Sequence, residues 1–284
     1  MKVYILIINY NSWQNTLELV NSVKASDYTN HQIVIIDNYS TDNSFKILKS
    51  ELKNVLLFQT DKNGGFAYAN NYFLKQTIHE DAYVWMLNPD TLVDKKAISK
   101  LVRSASSRQK TIFTTSIYDY KDRKKGKRSG LCKIQKLLGT TKHLNQQKKA
   151  DYIYGASLFC HLNAFKEVGL FPEYYFLYWE ETEWCIIAKK RGYQLYWEEE
   201  AIIYDKVSSL IPEKQYVSEY YYSLNALRFI KNYFPIFLPF SLCMNLPRAI
   251  YRLLKGQKKR TKAIFKATKD FLHKRVTPLP NHIN

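Results

Sequence analysis

The 284-residue chain is 46% hydrophobic and carries a formal charge of +18 at pH 7. The apolar content excludes a disordered chain and suffices for a large core, as one mixed domain or one domain with an appendage. The charge selects an acidic partner, whether nucleotide phosphate, nucleic acid or an anionic membrane, without choosing among them.

The first hundred residues alternate between two periodicities. "MKVYILIINYNSW" begins with a basic residue and a short apolar run, but "NYN" follows at once without a small-residue cleavage site, so Val3–Ile8 reads as a first strand and not a signal peptide. Trp13, Leu17, Val20 and Val23 then recur at helical spacing. Ile33–Ile36 is a second apolar strand ending at Asp37, and "STDNSFKILKS" opens a helix with Ser40 or Thr41 as the expected cap. Val55–Phe58 reads as a third strand, "NGGFAYANN" as a glycine turn into a helix, and Tyr83–Leu87 as a fourth strand. Short apolar runs linked by helices predict an α/β fold with a mainly parallel sheet, whose ligands sit at the carboxyl ends of the strands.

Asn9, Asp37 and Asp90 all fall at such ends. One polar residue there is ordinarily a cap or turn former, but three together suggest a site. A nucleotide in that crevice needs an acceptor for a base N–H, which Asp37 can supply. It also needs its diphosphate neutralised, and Asp90 can hold a hard divalent cation, Mg²⁺ or Mn²⁺, with phosphate oxygens and water completing the shell.

"ILIINYNSW", "IVIIDNYSTDNS", "NGGFAYANN", "LNPDT", "GASLFCHLNAFKEVGLF" and "FLYWEETEWCIIAKKRGYQLYW" occur in the order expected of family-2 glycosyltransferases, which the chain resembles over roughly residues 3–230, most closely in their bacterial rhamnosyltransferase-type branch. The resemblance implies a GT-A fold, Rossmann-like, a nucleotide-sugar donor, a divalent metal and inversion at the anomeric carbon. It implies that Asn9 and Tyr10 lie near the nucleoside, that Asp37 contacts the base, and that Asn63, Gly64, Gly65 and Phe66 flank the donor. "NPD" stands where the family has a DXD-type metal motif. Its first aspartate is Asn88 here, which leaves Asp90 as the main metal ligand. In "LYWEETEWC", Glu181 aligns with the family's general base, with Glu180, Glu183 and Trp179 on the acceptor side. Acidic residues in a first helical turn are also favoured by the helix dipole alone. Where the family has a histidine after the tyrosine of "AIIY", this chain has Asp205 and Lys206: Asp205 is either a replacement metal ligand or a loop residue with weak metal dependence, and Lys206 is expected to neutralise phosphate.

Between about Ser104 and Ala150 the apolar periodicity weakens, and Asp119–Gly130 brings six Lys/Arg against two aspartates, which reads as a solvated loop or a cover over a phosphate-bearing substrate. Scattered cysteines without CxxC spacing or paired histidines speak against a zinc site or disulfide framework and fit a reducing cytosol. Pro235, Pro239, Asn245, Pro247 and Arg248 interrupt the apolar stretch near the carboxyl end, so no twenty-residue membrane span is expected. From Arg248 to Arg275, eleven basic residues face the lone Asp270, a net +10, interleaved with apolar ones such as Ile250, Leu253 and Phe265. This predicts amphipathic helices lying on an anionic leaflet.

The expected organisation is a catalytic domain over 1–232 (nucleotide-sugar half 1–103, basic segment 104–150, acceptor half 151–232) and a basic membrane-associating region over 233–284. The expected activity is transfer of a sugar, rhamnose from TDP-rhamnose first, to a lipid-linked or growing surface polysaccharide. A UDP-galactose-type donor is the alternative, since thymine and uracil offer Asp37 the same N3–H. A catalytically silent, nucleotide-binding membrane scaffold is the alternative of another class. Nucleic acid is disfavoured because the aromatics cluster around an acidic block that would repel phosphate. A homo-oligomer is left open. The expected location is the cytoplasmic face of a bacterial membrane.

Overall fold

The computed structural model describes residues 1–122, 127–147, 149–206 and 212–274. Their elements run β1 (Lys2–Asn9), α1 (Trp13–Lys24), β2 (His31–Asp37), α2 (Ser44–Glu51), β3 (Leu56–Gln59), α3 (Gly65–Thr77), β4 (Ala82–Leu87), β5 (Thr91–Val93), α4 (Ala97–Ser106), β6 (Thr111–Asp119), β7 (Arg128–Ser129), β8 (Leu131–Gln135), β9 (Thr140–His143), β10 (Tyr152–Ile153), β11 (Ser157–His161), α5 (Asn163–Val168), α6 (Glu180–Lys190), β12 (Gln194–Asp205), α7 (Pro212–Tyr233), α8 (Leu238–Leu254) and α9 (Lys258–Leu272). They form two compact units. The first holds Met1–Lys133, His143–Tyr174 and Glu180–Ser208, and the second holds Ile134–Lys142, Tyr175–Trp179 and Ser209–Asn284.

The first unit is built on a mixed sheet ordered β3-β2-β1-β4-β11-β6-β12-β5, with β7 added to β6. β3, β2, β1 and β4 are parallel, and β11 runs antiparallel between β4 and β6. Val3–Ile7 and Val84–Leu87 are buried throughout, as continuous apolar runs covered on both faces must be. α1 packs Leu19, Val20 and Val23 into the same core, with Ile98 and Leu101 of α4.

Two local expectations are corrected. α2 begins only at Ser44, whose backbone N–H is held by Asp42 Oδ1 at 2.8 Å, while Ser40 turns back to Asp37 and caps nothing. The weakly periodic stretch after Ser104 is not merely loop, because β6 crosses the sheet between β11 and β12 with Thr114, Thr115 and Ser116 fully buried. Each hydroxyl has a partner: Thr114 Oγ1 donates to Ser157 O (2.9 Å), Thr115 Oγ1 to Ser157 Oγ (2.9 Å) and Ser116 Oγ to Glu199 O (2.8 Å). A satisfied hydroxyl is tolerated in a core, so polarity did not mark this strand as exposed.

The second unit is helical. α7 and α9 bury Tyr220, Tyr221, Leu224, Ala263 and Ala267 against one another. α8 runs through Pro247, which the helix accommodates in its interior, and buries Ser241, Asn245 and Ala249. Its opposite side leaves Phe240, Met244, Ile250, Tyr251 and Leu254 exposed, Leu254 by 82%. Among the described residues no helix is long and apolar enough to cross a membrane. Arg275 and the remaining tail, with the middle of the basic run at 123–126, lie outside the described residues.

Candidate active site

Parallel pairing puts Asn9, Asp37 and Gln59 side by side at three strand ends. Asp37 is fully buried, and its carboxylate accepts from Asn9 Nδ2 (2.7 Å) and Ser40 Oγ (2.6 Å) on Oδ1, and from Ser40 N (3.0 Å) and Gln59 Nε2 (3.0 Å) on Oδ2. Thr16 Oγ1 donates to Asn9 Oδ1 at 2.8 Å and fixes the amide's orientation. Four donors compensate the desolvation of one carboxylate, so Asp37 organises the strand ends, and a base N–H reaching it would displace one of them. Tyr10 is half-buried, and Tyr39 is 51% exposed on a left-handed backbone (φ 59°).

Asn38, which sequence reasoning passed over, ties this corner to the glycine turn. Its Nδ2 donates to Asn63 Oδ1 (2.9 Å) and Gly65 O (3.3 Å), and its Oδ1 accepts from Gly64 N (3.3 Å). Gly65 has φ 85°, and a Cβ on Gly64 would fall 2.3 Å from Tyr68 Cδ1, so both glycines are required by the backbone path. Phe66 is half-buried at the start of α3. The signal for Asn38 was its place, directly after Asp37 and fully polar at the end of an apolar run.

The second corner forms where β4 ends. Asn88 O accepts from Thr91 N (3.2 Å) and Thr91 Oγ1 (2.7 Å), closing a turn with Pro89 and half-buried Asp90 at its tip. Asn88 N in turn donates to Ala156 O at 3.3 Å, because β11 pairs Ser157 with Leu87. The adjacent Gly155 lies against the acidic helix: a Cβ there would stand 3.5 Å from Glu181 Oε1 and 3.6 Å from its Cδ. Asn88, in the turn that carries Asp90, and Glu181 therefore border one short loop. Glu180, Glu181 and Glu183 in the first turn of α6 are all buried, unlike a solvated helix end, and Glu183 accepts from the Tyr174 hydroxyl. The helix N-terminus favours this concentration of negative charge. Burial first, with the Glu181 charge adding, pushes the Cys132 and Cys185 thiols up to about 12, so neither is a nucleophile at neutral pH.

β12 brings its end to the same turn, with Asp205 paired to Thr91 and Lys206 N donating to Asp90 O at 3.0 Å. Their side chains, however, already have partners. Arg128 Nη2 meets Asp205 Oδ2 at 2.5 Å, and Lys206 Nζ meets Glu18 Oε2 at 2.6 Å and Asn15 Oδ1 at 3.0 Å. Arg128 was hidden inside a basic run that reads as solvated. Among the described residues no group of three His, Cys, Asp or Glu is disposed to hold a metal. The donors present are hard oxygens from Asp90 and Asn88, which suit a divalent ion that takes most of its ligands from diphosphate and water. Asp205 would join that shell in competition with the charge of Arg128, which holds its Oδ2.

Trp179 belongs to the second unit and is buried there. Its Nε1 donates to Tyr222 O at 3.1 Å and its ring packs 5.0 Å from that of Phe229, so it anchors the loop and presents no open face to an acceptor. Tyr178 and Trp179 both have left-handed backbones, φ 65° and 80°.

Residues 4–169 match the family model described as Glycosyl transferase family 2. The chain belongs to glycosyltransferase family 2. The matched span of this family-2 glycosyltransferase contains both strand-end corners and stops before α6. The chain is 28% identical over 99 residues to the SPbeta prophage-derived glycosyltransferase SunS of Bacillus subtilis, covering 35% of this chain and 22% of SunS. It is 21% identical over 203 residues to the low-salt glycan biosynthesis hexosyltransferase Agl10 of Haloferax volcanii, covering 66% and 62%. It thus spans less than two thirds of these curated relatives. Among solved structures it is similar to the mannosyltransferase PcManGT of Pyrobaculum calidifontis in complex with GDP-Man and Mn²⁺, with a TM-score of 0.61 and 12% identity over 97% of this chain and 88% of that one. That likeness establishes a GT-A fold for the family-2 glycosyltransferase.

Proposed function

We propose that the chain is an inverting hexosyltransferase that uses a nucleotide-diphosphate sugar and a divalent ion, Mn²⁺ or Mg²⁺. The observation that carries this reading is the loop Gly155–Ala156, whose carbonyl at Ala156 accepts from Asn88 while Gly155 packs on Glu181. A carboxylate suited to take a proton and a turn suited to hold a diphosphate face one short segment.

Glu181 would accept the proton of the acceptor hydroxyl as its oxygen attacks the anomeric carbon, and the bond to the diphosphate breaks with its electron pair leaving on phosphate oxygen. One carboxylate as base, with no second as nucleophile, gives inversion. A divalent ion held by Asp90 and Asn88 would offset charge gathering on the leaving group. Lys206 can exchange its exposed partner Glu18 for a phosphate, since an ion pair with a solvated carboxylate is weak. Tyr10, Asn63, Gly64, Gly65 and Phe66 would border the donor, and Glu180 the acceptor.

The leading donor is TDP-rhamnose, on the resemblance of the six motifs, with a UDP-hexose as the alternative; Agl10's name as a hexosyltransferase supports the hexose class. The exposed apolar side of α8 and the basic residues of α8 and α9 support a lipid-linked acceptor and attachment to an anionic membrane surface, on the cytoplasmic side in a bacterium. Calorimetric titration with UDP and TDP, each with Mn²⁺ and then excess chelator, tests the donor site. Metal-dependent binding is expected. Absence of binding by either nucleotide to folded protein would remove the donor-site reading.

A further inference from the structure

The second unit holds a cluster that the reaction above does not use. Three guanidiniums converge on Glu219 of α7, itself 7% exposed. Arg248 Nη2 lies 3.1 Å from Oε1, while Arg252 Nη2 and Arg260 Nε lie 3.4 and 3.6 Å from Oε2. Arg248 also donates to the Ser223 hydroxyl and stands 5.8 Å over the Tyr222 ring. Among the described side chains, three positive charges against one leave an excess of +2 on groups that are only 17%, 27% and 24% exposed. The Nε–H groups of all three are closed to solvent and have no hydrogen-bond acceptor among the described residues.

Such an arrangement is incomplete as a purely structural one. An unbalanced buried charge is costly, and a buried donor without an acceptor forfeits its hydration. A salt-bridge triad built for stability would carry more acid. The missing component is a compact anion of about two charges that accepts from several planar forks, which describes a phosphate monoester or diphosphate and not a carboxylate. Arg248 and Arg252 sit beside the buried side of α8, and the same helix exposes Phe240, Ile250, Tyr251 and Leu254 on another side. One helix therefore offers both a phosphate-binding edge and an apolar surface.

We propose that Arg248, Arg252 and Arg260 form a phosphate site in the helical unit, taking the phosphate or diphosphate group of a lipid-linked acceptor. The site rests on the lipid-linked acceptor reading and names the group by which that acceptor is held. The test uses the full chain with chelator present, so that the metal-dependent donor site is silent. Pyrophosphate is titrated against wild type, R252Q/R260Q, R252K/R260K and E219Q, with circular dichroism as the check on folding. Binding to wild type is expected, at least tenfold weaker in both double variants, because lysine keeps charge but loses the fork, and tighter in E219Q.

Vesicles of phosphatidylcholine doped with phosphatidic acid or, at matched zeta potential, with phosphatidylglycerol separate the sources. A wild-type preference for the phosphomonoester lipid that the double variants lose assigns the site to a membrane headgroup, and a pyrophosphate response without it assigns the site to soluble phosphate. Equal pyrophosphate binding by wild type and folded double variants, or none by either, overturns the site. UDP and TDP titration with Mn²⁺ on the same samples keeps the questions apart: nucleotide failure with the pyrophosphate response intact removes the enzyme reading alone.

Discussion

In the sheet unit the aliphatic runs of β1, β2 and β4 are buried, and most of its ion pairs, such as Lys75–Glu173 and Arg103–Glu200, lie at the surface. The helical unit does nearly the reverse. It encloses Glu219 with three arginines and Asp270 with Tyr220 and Lys266, at 2.7 Å each, while leaving Phe240, Tyr251 and Leu254 exposed. Exposed large apolar residues grouped on one side of a helix favour contact with something other than water. One unit carries the proposed reaction site and the other exposes an apolar side of α8, so substitutions should separate the two properties.

The largest expected effect is on the reaction alone. Glu181→Gln should lower turnover by about 10²–10⁴-fold, the usual worth of a general base, while nucleotide titration and vesicle binding stay at wild-type values; unchanged turnover removes the base assignment. Asp90→Ala should weaken metal-dependent binding of UDP or TDP by roughly two orders of magnitude if the turn supplies the principal protein ligand. Calorimetry with Mn²⁺ and with chelator reads this directly, and a variant that binds as before places the ion elsewhere.

Asn9→Ala bears on stability within the sheet unit. It removes one of four donors from buried Asp37 and should lower unfolding free energy by about 1–3 kcal/mol in urea denaturation, with vesicle binding untouched. On the other side, Tyr251→Ser with Leu254→Ser should weaken partition onto anionic vesicles by about tenfold, from lost apolar burial, and leave nucleotide binding as it was. Loss of nucleotide binding in that variant would dissolve the comparison.

The smallest effect is in pH. Burial holds the His143 imidazole below its ordinary value, with the Ser129 carbonyl opposing. The unfolded chain then takes up the proton first as pH falls, so stability present above the ordinary histidine range declines as pH drops through it toward the lower folded value. His143→Phe should flatten that step in Tm against pH, and an unaltered profile would assign it to another group.

The strands that carry Asn9, Asp37 and the turn before Asp90 were legible because a strand covered on both faces must be apolar throughout, and a polar residue at its end stands out. β6 was not legible, since Thr114, Thr115 and Ser116 owe their burial to Ser157 and Glu199, which are far away in sequence. Arg128 and Asp205 are 77 positions apart, and neither residue type announces the other. The acidic block that opens α6 drew notice for its aromatic neighbours, yet nothing local distinguished Trp179 as a buried anchor from an exposed platform. Only Tyr222 and Phe229 decide that.

Tyr178 and Trp179, consecutive residues with side chains on left-handed backbone, lead directly into Glu180 of α6. Each such residue costs about 1–3 kcal/mol in the native state. Glycine at half-buried Tyr178 would relieve that strain and enlarge the entropy of the unfolded chain by about 0.4–1 kcal/mol, whereas glycine at Trp179 would also empty the site of a buried indole. At Tyr178 the two terms oppose each other in melting, and at Trp179 the lost packing dominates. Glycine permits many backbone conformations where a strained residue with a side chain permits few, so Tyr178 is a position where local stiffness can be changed with less loss of packing than at Trp179.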